Sequence, residues 1–157
     1  MGPTRSAFAC SVFAPVVETA LELVNVPVLS SYDSAMAEEV EKGPRVGVIS
    51  SVPATLRDSE HYFLKAAKEK GVSIQPKLCL ADDLIHVLRT DGQAGFSRRI
   101  AEEVAKLEPE VDSVLLSQFS MAAALSHVSS VANVPILSAP HCSALAFKKL
   151  LSSSVTV

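Results

Sequence analysis

The chain has 157 residues, 48% of them hydrophobic, and a formal net charge of −3. This length matches about one domain, and the weak negative charge offers no basic surface for nucleic acid or an anionic membrane. No apolar run approaches the roughly 20 residues that span a bilayer. Three cysteines without a secretory signal predict reduced thiols and a cytoplasmic location.

Strand-like and helix-like patterns alternate along the chain. Short apolar or β-branched runs predict strands at residues 6–9, 26–29, 45–50, 72–78, 111–117 and 134–137. Periodic stretches bounded by start and stop residues predict helices at residues 15–24, 33–42, 58–70, 81–89, 96–107, 121–131 and 141–151. Short strands between helices predict an α/β fold of βαβ units, with a parallel sheet covered on both faces.

The second of these helices carries two local expectations. Asp33 or Ser34 is predicted to cap its N-terminus, because short polar side chains accept hydrogen bonds from the first turn. The acidic residues near its end, Glu38, Glu39 and Glu41, are expected to form a solvated face.

A hexapeptide occurs twice, as NVPVLS at residues 25–30 and as NVPILS at residues 133–138, 108 residues later. The same offset places Cys10 opposite Gln118. Self-similarity at a fixed distance predicts a duplicated fold with two pseudo-symmetric halves, the first incomplete because its copy would need about 60 residues ahead of Met1. Three parts are predicted: a remnant of the first half at residues 1–43, a complete second half at residues 44–138, and a C-terminal helix that returns to the first half at residues 139–157.

Thiol, hydroxyl and amide side chains cluster where strands are predicted to end. In parallel α/β sheets, ligands bind beyond the carboxyl ends of the strands. If two repeats face each other, these side chains therefore line one crevice. The residues expected there are Cys10, Ser11, Ser51, Thr55, Ser117, Gln118 and Ser120.

The other titratable candidates have simpler interpretations. Cys79 lies in a predicted strand and is expected in the core, the usual place of a free cysteine. Cys142 follows His141, but adjacent residues on a helix point in different directions, which disfavours a metal or nucleophile pair. The remaining histidines are expected to be ordinary helix residues without zinc-type spacing: His61, His86 and His127. No G-x-G-x-x-G or Walker sequence occurs, so neither a nucleotide cofactor nor a metal is predicted.

Five segments taken together resemble the aspartate/glutamate/hydantoin racemase superfamily. In order they are FACSVFAPVVETA, VPVLSSYDSAMAEEV, RVGVISSVPATL, VDSVLLSQFSMAAAL and VPILSAPHCSALAF. The resemblance extends over residues 7–151. It implies a cofactor-independent enzyme of two α/β halves, each contributing one cysteine, with a small-molecule carboxylate such as an amino acid bound between them.

The chain departs from that pattern at the second cysteine position, which holds Gln118. An amide forms hydrogen bonds but does not exchange protons near neutral pH, which argues against a symmetric two-thiol racemase. With Cys10 as the acid/base group, decarboxylation with protonation, a one-sided isomerisation or covalent attack by the thiolate stay open.

Two further hypotheses follow from the incomplete first half. The chain could be a truncated, non-catalytic racemase-like binding protein or an incomplete gene product instead of an enzyme. Apolar surface left uncovered by the incomplete half would favour a homo-oligomer.

Overall fold

The computed structural model describes residues 6–7, 14–25 and 28–152, so the predicted site residues Cys10 and Ser11 lie outside the described residues. The strands are β1 (Ser6–Ala7), β2 (Val28–Leu29), β3 (Arg45–Ser50), β4 (Gln75–Leu80), β5 (Ser113–Leu116) and β6 (Ile136–Ser138). The α-helices are α1 (Ala14–Leu21), α2 (Ser31–Glu39), α3 (Pro53–Lys70), α4 (Leu84–Leu107), α5 (Leu125–Val131) and α6 (Ala139–Ser152). Within the described residues, 3-10 helices occupy Glu108–Glu110 and Phe119–Ala124.

Four strands form one parallel sheet in the order β4-β3-β5-β6, and β1 pairs with β2 in a separate parallel ribbon. The chain passes from β3 to the edge strand β4, returns across β3 to β5, and continues to β6. Helices connect these strands, as parallel pairing requires. The predicted α/β fold with a parallel sheet is confirmed.

The sheet is covered on both faces by two apolar clusters. On one face, Val46 and Val48 of β3 pack with α2 and α3, including the fully buried Phe63. On the other face, Ile49 packs with α4 and α5, including the fully buried Ile100. Consecutive strand residues therefore bury their side chains in opposite clusters, which explains why β3 reads as an unbroken apolar run. Among the helices in the described ranges, none is long and apolar enough to cross a membrane.

The sequence repeat has a counterpart in strand pairing. Ser6 pairs with Val28 in the first ribbon, and Val114 pairs with Ile136 in the main sheet. Both partners of the second pair lie 108 residues after their counterparts, the same offset as the repeated hexapeptide. The ribbon β1–β2 is thus equivalent in register to β5–β6.

The helices α2 and α3 both begin earlier than expected. The cap of α2 is Ser30, whose hydroxyl oxygen accepts a hydrogen bond from the backbone N–H of Asp33 at 3.0 Å, so the prediction of Asp33 or Ser34 was wrong. The start of α3 is Pro53, at the position where proline suits a helix because it lacks an N–H. The connection between the strand predicted at residues 45–50 and the helix predicted at 58–70 therefore shortens to Ser51 and Val52, and Thr55 lies in the first turn of α3.

The expectation of a fully solvated acidic face on α2 is also wrong. Glu39 is completely buried, and neither of its carboxyl oxygens has a hydrogen-bond partner among the described residues. Burial raises the pKa of Glu39 from its ordinary value of 4.5 to about 8, and the nearby Ser113 hydroxyl and Lys42 only partly oppose this rise. The helix turns this side chain toward β5 instead of toward water.

Candidate functional site

The carboxyl ends of β3 and β5 form a topological switch point. These strands are neighbours, with Ile49 paired to Leu116. The helix that follows β3 packs on one face of the sheet, whereas the helices that follow β5 pack on the other. Connections that leave adjacent strands in opposite directions open a crevice between them, which is where α/β folds bind ligands.

Gln118 bridges this switch point. Its side-chain oxygen Oε1 accepts hydrogen bonds from the backbone N–H of Ser51 at 2.7 Å and from the Ser51 hydroxyl at 2.8 Å. The Ser50 hydroxyl also lies 3.3 Å from this oxygen. Gln118 occupies the position just before the 3-10 helix Phe119–Ala124, and its side chain is only partly buried. The amide thus joins the end of β5 to the turn after β3 while staying within reach of a ligand.

Ser50 shapes the turn that presents Ser51. Its hydroxyl oxygen accepts from the Val52 backbone N–H at 3.1 Å and lies 3.2 Å from the Val52 carbonyl oxygen. Such side-chain bonds to the backbone two residues on are typical of serine in tight turns. Ser50 was not among the residues predicted from sequence, although its position as the last residue of a strand was the available signal.

The other predicted site residues divide by burial. The Ser117 hydroxyl is buried and donates to the Ile49 carbonyl oxygen at 2.8 Å, which ties β5 to β3. Thr55 is 3% exposed, and its carbonyl oxygen accepts from the hydroxyls of Tyr32 at 3.1 Å and Ser59 at 2.7 Å. Ser120 is exposed on the 3-10 helix. The structure therefore brings Gln118 and Ser51 into direct contact, with Ser117 supporting the same strand ends.

A serine–histidine contact lies at the end of the next strand, β6. Ser138 Oγ is 2.7 Å from His141 Nδ1, with Ser138 buried and His141 exposed. Residues three apart at a helix start lie close enough for their side chains to interact. His141 therefore interacts with Ser138 and not with its neighbour Cys142, consistent with the expectation that Cys142 and His141 do not form a pair. Ser138 was absent from the predicted site residues.

The described cysteines are poor nucleophiles. Burial and the hydrogen bond from the Cys79 thiol to the Glu103 carboxylate, at 3.4 Å, raise the pKa of Cys79 to about 11. Burial and the charges of Glu38 and Glu39 raise the pKa of Cys142 to about 12. Since the thiolate is the reactive form, neither group is suited to catalysis at neutral pH. The histidines expected to be ordinary helix residues lie in helices and are exposed: His61, His86 and His127.

Metal-type clusters and charged grooves offer no competing site in the part of the chain that the structure describes. No group of three His, Cys, Asp or Glu side chains there could hold a metal ion. A groove of about 290 Å³ lies between α2 and α3, and one of about 370 Å³ lies between α2 and α6. Lys70 lines both, and its charge is engaged by the carboxylate of Glu41 and the carbonyl of Ala37. Both grooves are gaps between packed helices.

No protein-family model matches the chain, and no curated protein sequence does. Its fold is similar to that of glutamate racemase RacE1 from Bacillus anthracis, with a TM-score of 0.72 and 16% identity over 96% of this chain and 59% of that one. Allantoin racemase from Klebsiella pneumoniae gives 0.71 and 18% identity over 96% of this chain and 60% of that one. A point mutant of arylmalonate decarboxylase gives 0.64 and 15% identity over 98% and 70%.

These likenesses extend over almost the whole chain and show a shared fold. The chain spans about three fifths of the length of the two racemases. The resemblance seen in the sequence segments thus agrees with the architecture.

Proposed function

We propose that this protein is a cofactor-independent racemase- or isomerase-type enzyme that acts on an amino acid or a related carboxylate, with Cys10 as its one acid/base thiol. The main support for this proposal is the position of Gln118 at the switch point. Gln118 comes 108 residues after Cys10, and the strand pairs β1–β2 and β5–β6 have the same register at that offset. Racemases with the same fold support the proposal.

The chemistry requires a group that removes or returns a proton next to a carboxylate. A thiolate at the end of a strand and the start of a helix can do so, because the helix N-terminus stabilises the anion. Gln118 has no group that acts as an acid or a base near neutral pH. We therefore infer a one-thiol reaction: a one-sided isomerisation in which the thiol removes and returns a proton on one face, decarboxylation followed by protonation, or covalent attack by the thiolate. The decarboxylase among the similar folds is compatible with the second form.

The hydroxyl residues receive two roles in this proposal. Ser11, Ser51 and Ser120 are assigned to contact with the substrate, since Ser51 lies beside Gln118 and Ser120 is exposed on the following turn. Ser117 and Thr55 are buried and are assigned to holding the strand ends and the first turn of α3. The proposal requires no cofactor or metal, and it includes a cytoplasmic location and a homo-oligomer.

Alkylation of the purified protein with iodoacetamide tests this assignment. The pKa values of Cys79 and Cys142, about 11 and about 12, keep both thiols protonated near neutral pH, so the modified peptide is expected to be the one that contains Cys10. Aspartate, glutamate, hydantoins and malonates are added in separate reactions, with Cys10→Ser as the control. Protection of Cys10 by one class of compound identifies the substrate class, and no protection by any of them contradicts the enzyme proposal.

Turnover is measured with the protecting compound in D₂O. Deuterium incorporation without inversion, or release of CO₂ from a malonate, supports the one-thiol enzyme. Protection without either reaction instead supports the alternative, a non-catalytic racemase-like binding protein. The specific observation in favour of that alternative is Gln118 itself, because an amide at this position binds but does not transfer protons.

A further inference from the structure

The orientation of the Gln118 amide is fixed by its neighbours. The Ser51 backbone N–H is a donor and lies 2.7 Å from the side-chain oxygen of Gln118. Turning the amide over would place its NH₂ group against that N–H, so two donors would face each other. The Ser51 hydroxyl, at 2.8 Å, strengthens the same orientation. The oxygen of Gln118 must therefore face the turn after β3.

The amide nitrogen consequently faces away from that turn. Among the residues that the structure describes, Nε2 of Gln118 has no hydrogen-bond acceptor, whereas Oε1 has two short contacts and a longer one to the Ser50 hydroxyl. Gln118 is partly exposed as a residue, so the crevice side of this position is not closed off by the described elements. Because Oε1 already accepts hydrogen bonds from the turn, Gln118 can offer a ligand in the crevice only the hydrogen-bond donors of Nε2.

We propose that Nε2 of Gln118 donates a hydrogen bond to an anionic oxygen of the substrate, either a carboxylate oxygen or the enolate oxygen that forms when a proton or CO₂ is lost. This inference rests on the proposed function and assigns a charge-stabilising role to the position that a second thiol would otherwise hold. Preorganised donors aimed at an oxygen that gains negative charge are an effective means of lowering a reaction barrier. Gln118 is then a catalytic residue that contacts substrate without transferring a proton.

The substitution Gln118→Glu is a suitable test of this role, because it changes the charge of the side chain with little change in its shape. Glutamate at position 118 has the same length as glutamine, and one carboxylate oxygen can accept the same hydrogen bonds from Ser51. The second oxygen would replace the donor NH₂ by a negatively charged acceptor. Gln118→Glu therefore reverses what the side chain offers to the ligand while it keeps the contact that orders the turn.

Binding is measured by isothermal titration calorimetry with matched probe pairs that differ in carboxylate and carboxamide: malonate and malonamide, aspartate and asparagine, glutamate and glutamine. Wild-type protein is expected to prefer the carboxylate of the pair that binds. In Gln118→Glu, the ratio of the carboxylate Kd to the carboxamide Kd is expected to rise by at least roughly tenfold, because a charge-assisted hydrogen bond is lost and like charges face each other.

Two further variants complete the test. Gln75→Glu is the matched control. Gln75 is exposed at the start of β4, at the amino ends of the strands, whereas Gln118 follows the carboxyl end of β5. This variant should leave the Kd ratio unchanged. Gln118→Met has a similar length without a donor, and it should weaken carboxylate binding without adding a charge. It also keeps the inference testable if Gln118→Glu does not fold by circular dichroism.

The outcomes separate this inference from the proposed function. Protection of wild-type Cys10 by a carboxylate, combined with an unchanged Kd ratio in Gln118→Glu and unchanged carboxylate binding in Gln118→Met, overturns the donor role and leaves the enzyme proposal standing. Failure of wild-type protein to bind any of the carboxylate probes overturns both.

Discussion

Gln118 and Glu39 are polar side chains that differ in whether their oxygen atoms have hydrogen-bond partners. The Gln118 oxygen has donors from Ser51 on the neighbouring turn, so its partial burial is compensated. The Glu39 carboxyl group is fully buried without a hydrogen-bond partner among the described residues. A buried carboxylate is costly unless it is paired or neutral, which is why Glu39 holds its proton to a higher pH. Each residue leads to a prediction that depends on this difference.

Glu39→Gln should flatten the pH dependence of stability. The pKa of Glu39 rises from 4.5 to about 8 on folding, so between these values the folded state holds a proton that the unfolded state has lost. The free energy of unfolding of the wild type therefore falls as pH increases through this window, by on the order of a few kcal/mol. The amide introduced by the substitution stays neutral throughout the window. Urea denaturation at about pH 5, about pH 6.5 and about pH 8 measures the effect.

The matched control for that experiment is Glu60→Gln, because Glu60 is an exposed carboxylate on α3. Its pH profile should run parallel to that of the wild type. If Glu39→Gln also runs parallel to the wild type, Glu39 ionises normally in the folded protein and the burial argument is wrong.

Gln118→Cys should change the stereochemical outcome of the proposed reaction. A thiol on the second side of the crevice can exchange a proton where the amide cannot. Deuterium exchange that occurs without inversion in the wild type is expected to become racemisation in the variant, detected by chiral chromatography of aspartate or glutamate. The maximal rate should not exceed that of the wild type, because the contact of the Gln118 oxygen with Ser51 is lost. Exchange that still retains configuration would argue against a shared crevice for Cys10 and position 118.

At the scale of elements, sequence periodicity identified β3, β5 and α3, which position the site, because each contains a run or face of apolar residues. It predicted one helix at residues 121–131, where the structure has a 3-10 helix at Phe119–Ala124 followed by α5. It misplaced helix starts where side-chain capping decides them, as at Ser30, whose hydroxyl bonds the Asp33 N–H. It also could not show which way Glu39 points, since burial of one helix face depends on packing against β5. For the site, the strand ends at Ser51 and Gln118 were predictable, but their hydrogen bond, which joins residues 67 positions apart, was not.

Helix α4 illustrates an interruption that the sequence did predict. Separate helices were expected at residues 81–89 and 96–107, and the structure bends at Gly92, where φ is 65° and ψ is −166°. This backbone region is open essentially to glycine alone. The bend divides α4 into a mostly exposed first segment and a second segment that carries Phe96 and Ile100 into the core.

Gly92→Ala should therefore destabilise the protein by about 1–3 kcal/mol. Gly71→Ala is the matched comparison, because Gly71 also has a positive φ of 67° but lies in the left-handed region with ψ of 28° that alanine can enter. An added Cβ meets no atom within 4 Å at either position, so steric contact does not contribute. Chemical denaturation should give a larger loss for Gly92→Ala than for Gly71→Ala. A smaller loss would mean that the first segment of α4 reorients to relieve the strain.

At the scale of the whole molecule, the main sheet separates two apolar clusters that share its strands. Leu115 of β5 belongs to the cluster beneath α2 and α3, and its neighbours Val114 and Leu116 belong to the cluster beneath α4 and α5. Because the same strands contribute to both clusters, loss of packing on one face should loosen the other. The switch point between β3 and β5 depends on this coupling, since its two sides are followed by helices on opposite faces.

The tyrosines provide a way to measure that coupling. The chain has two tyrosines and no tryptophan, and Tyr32 and Tyr62 stack on the α2–α3 face with ring centroids 5.1 Å apart. Ile100→Ala removes fully buried side-chain atoms from the opposite face and should cost about 2–5 kcal/mol. If the sheet couples the faces, tyrosine fluorescence and far-ultraviolet circular dichroism will report the same lowered urea midpoint. Phe63→Ala, on the tyrosine side, is the matched variant and should also shift both signals together. A tyrosine transition that stays at the wild-type midpoint in Ile100→Ala would show that the two clusters unfold independently, and that the crevice lies between two separately stable layers.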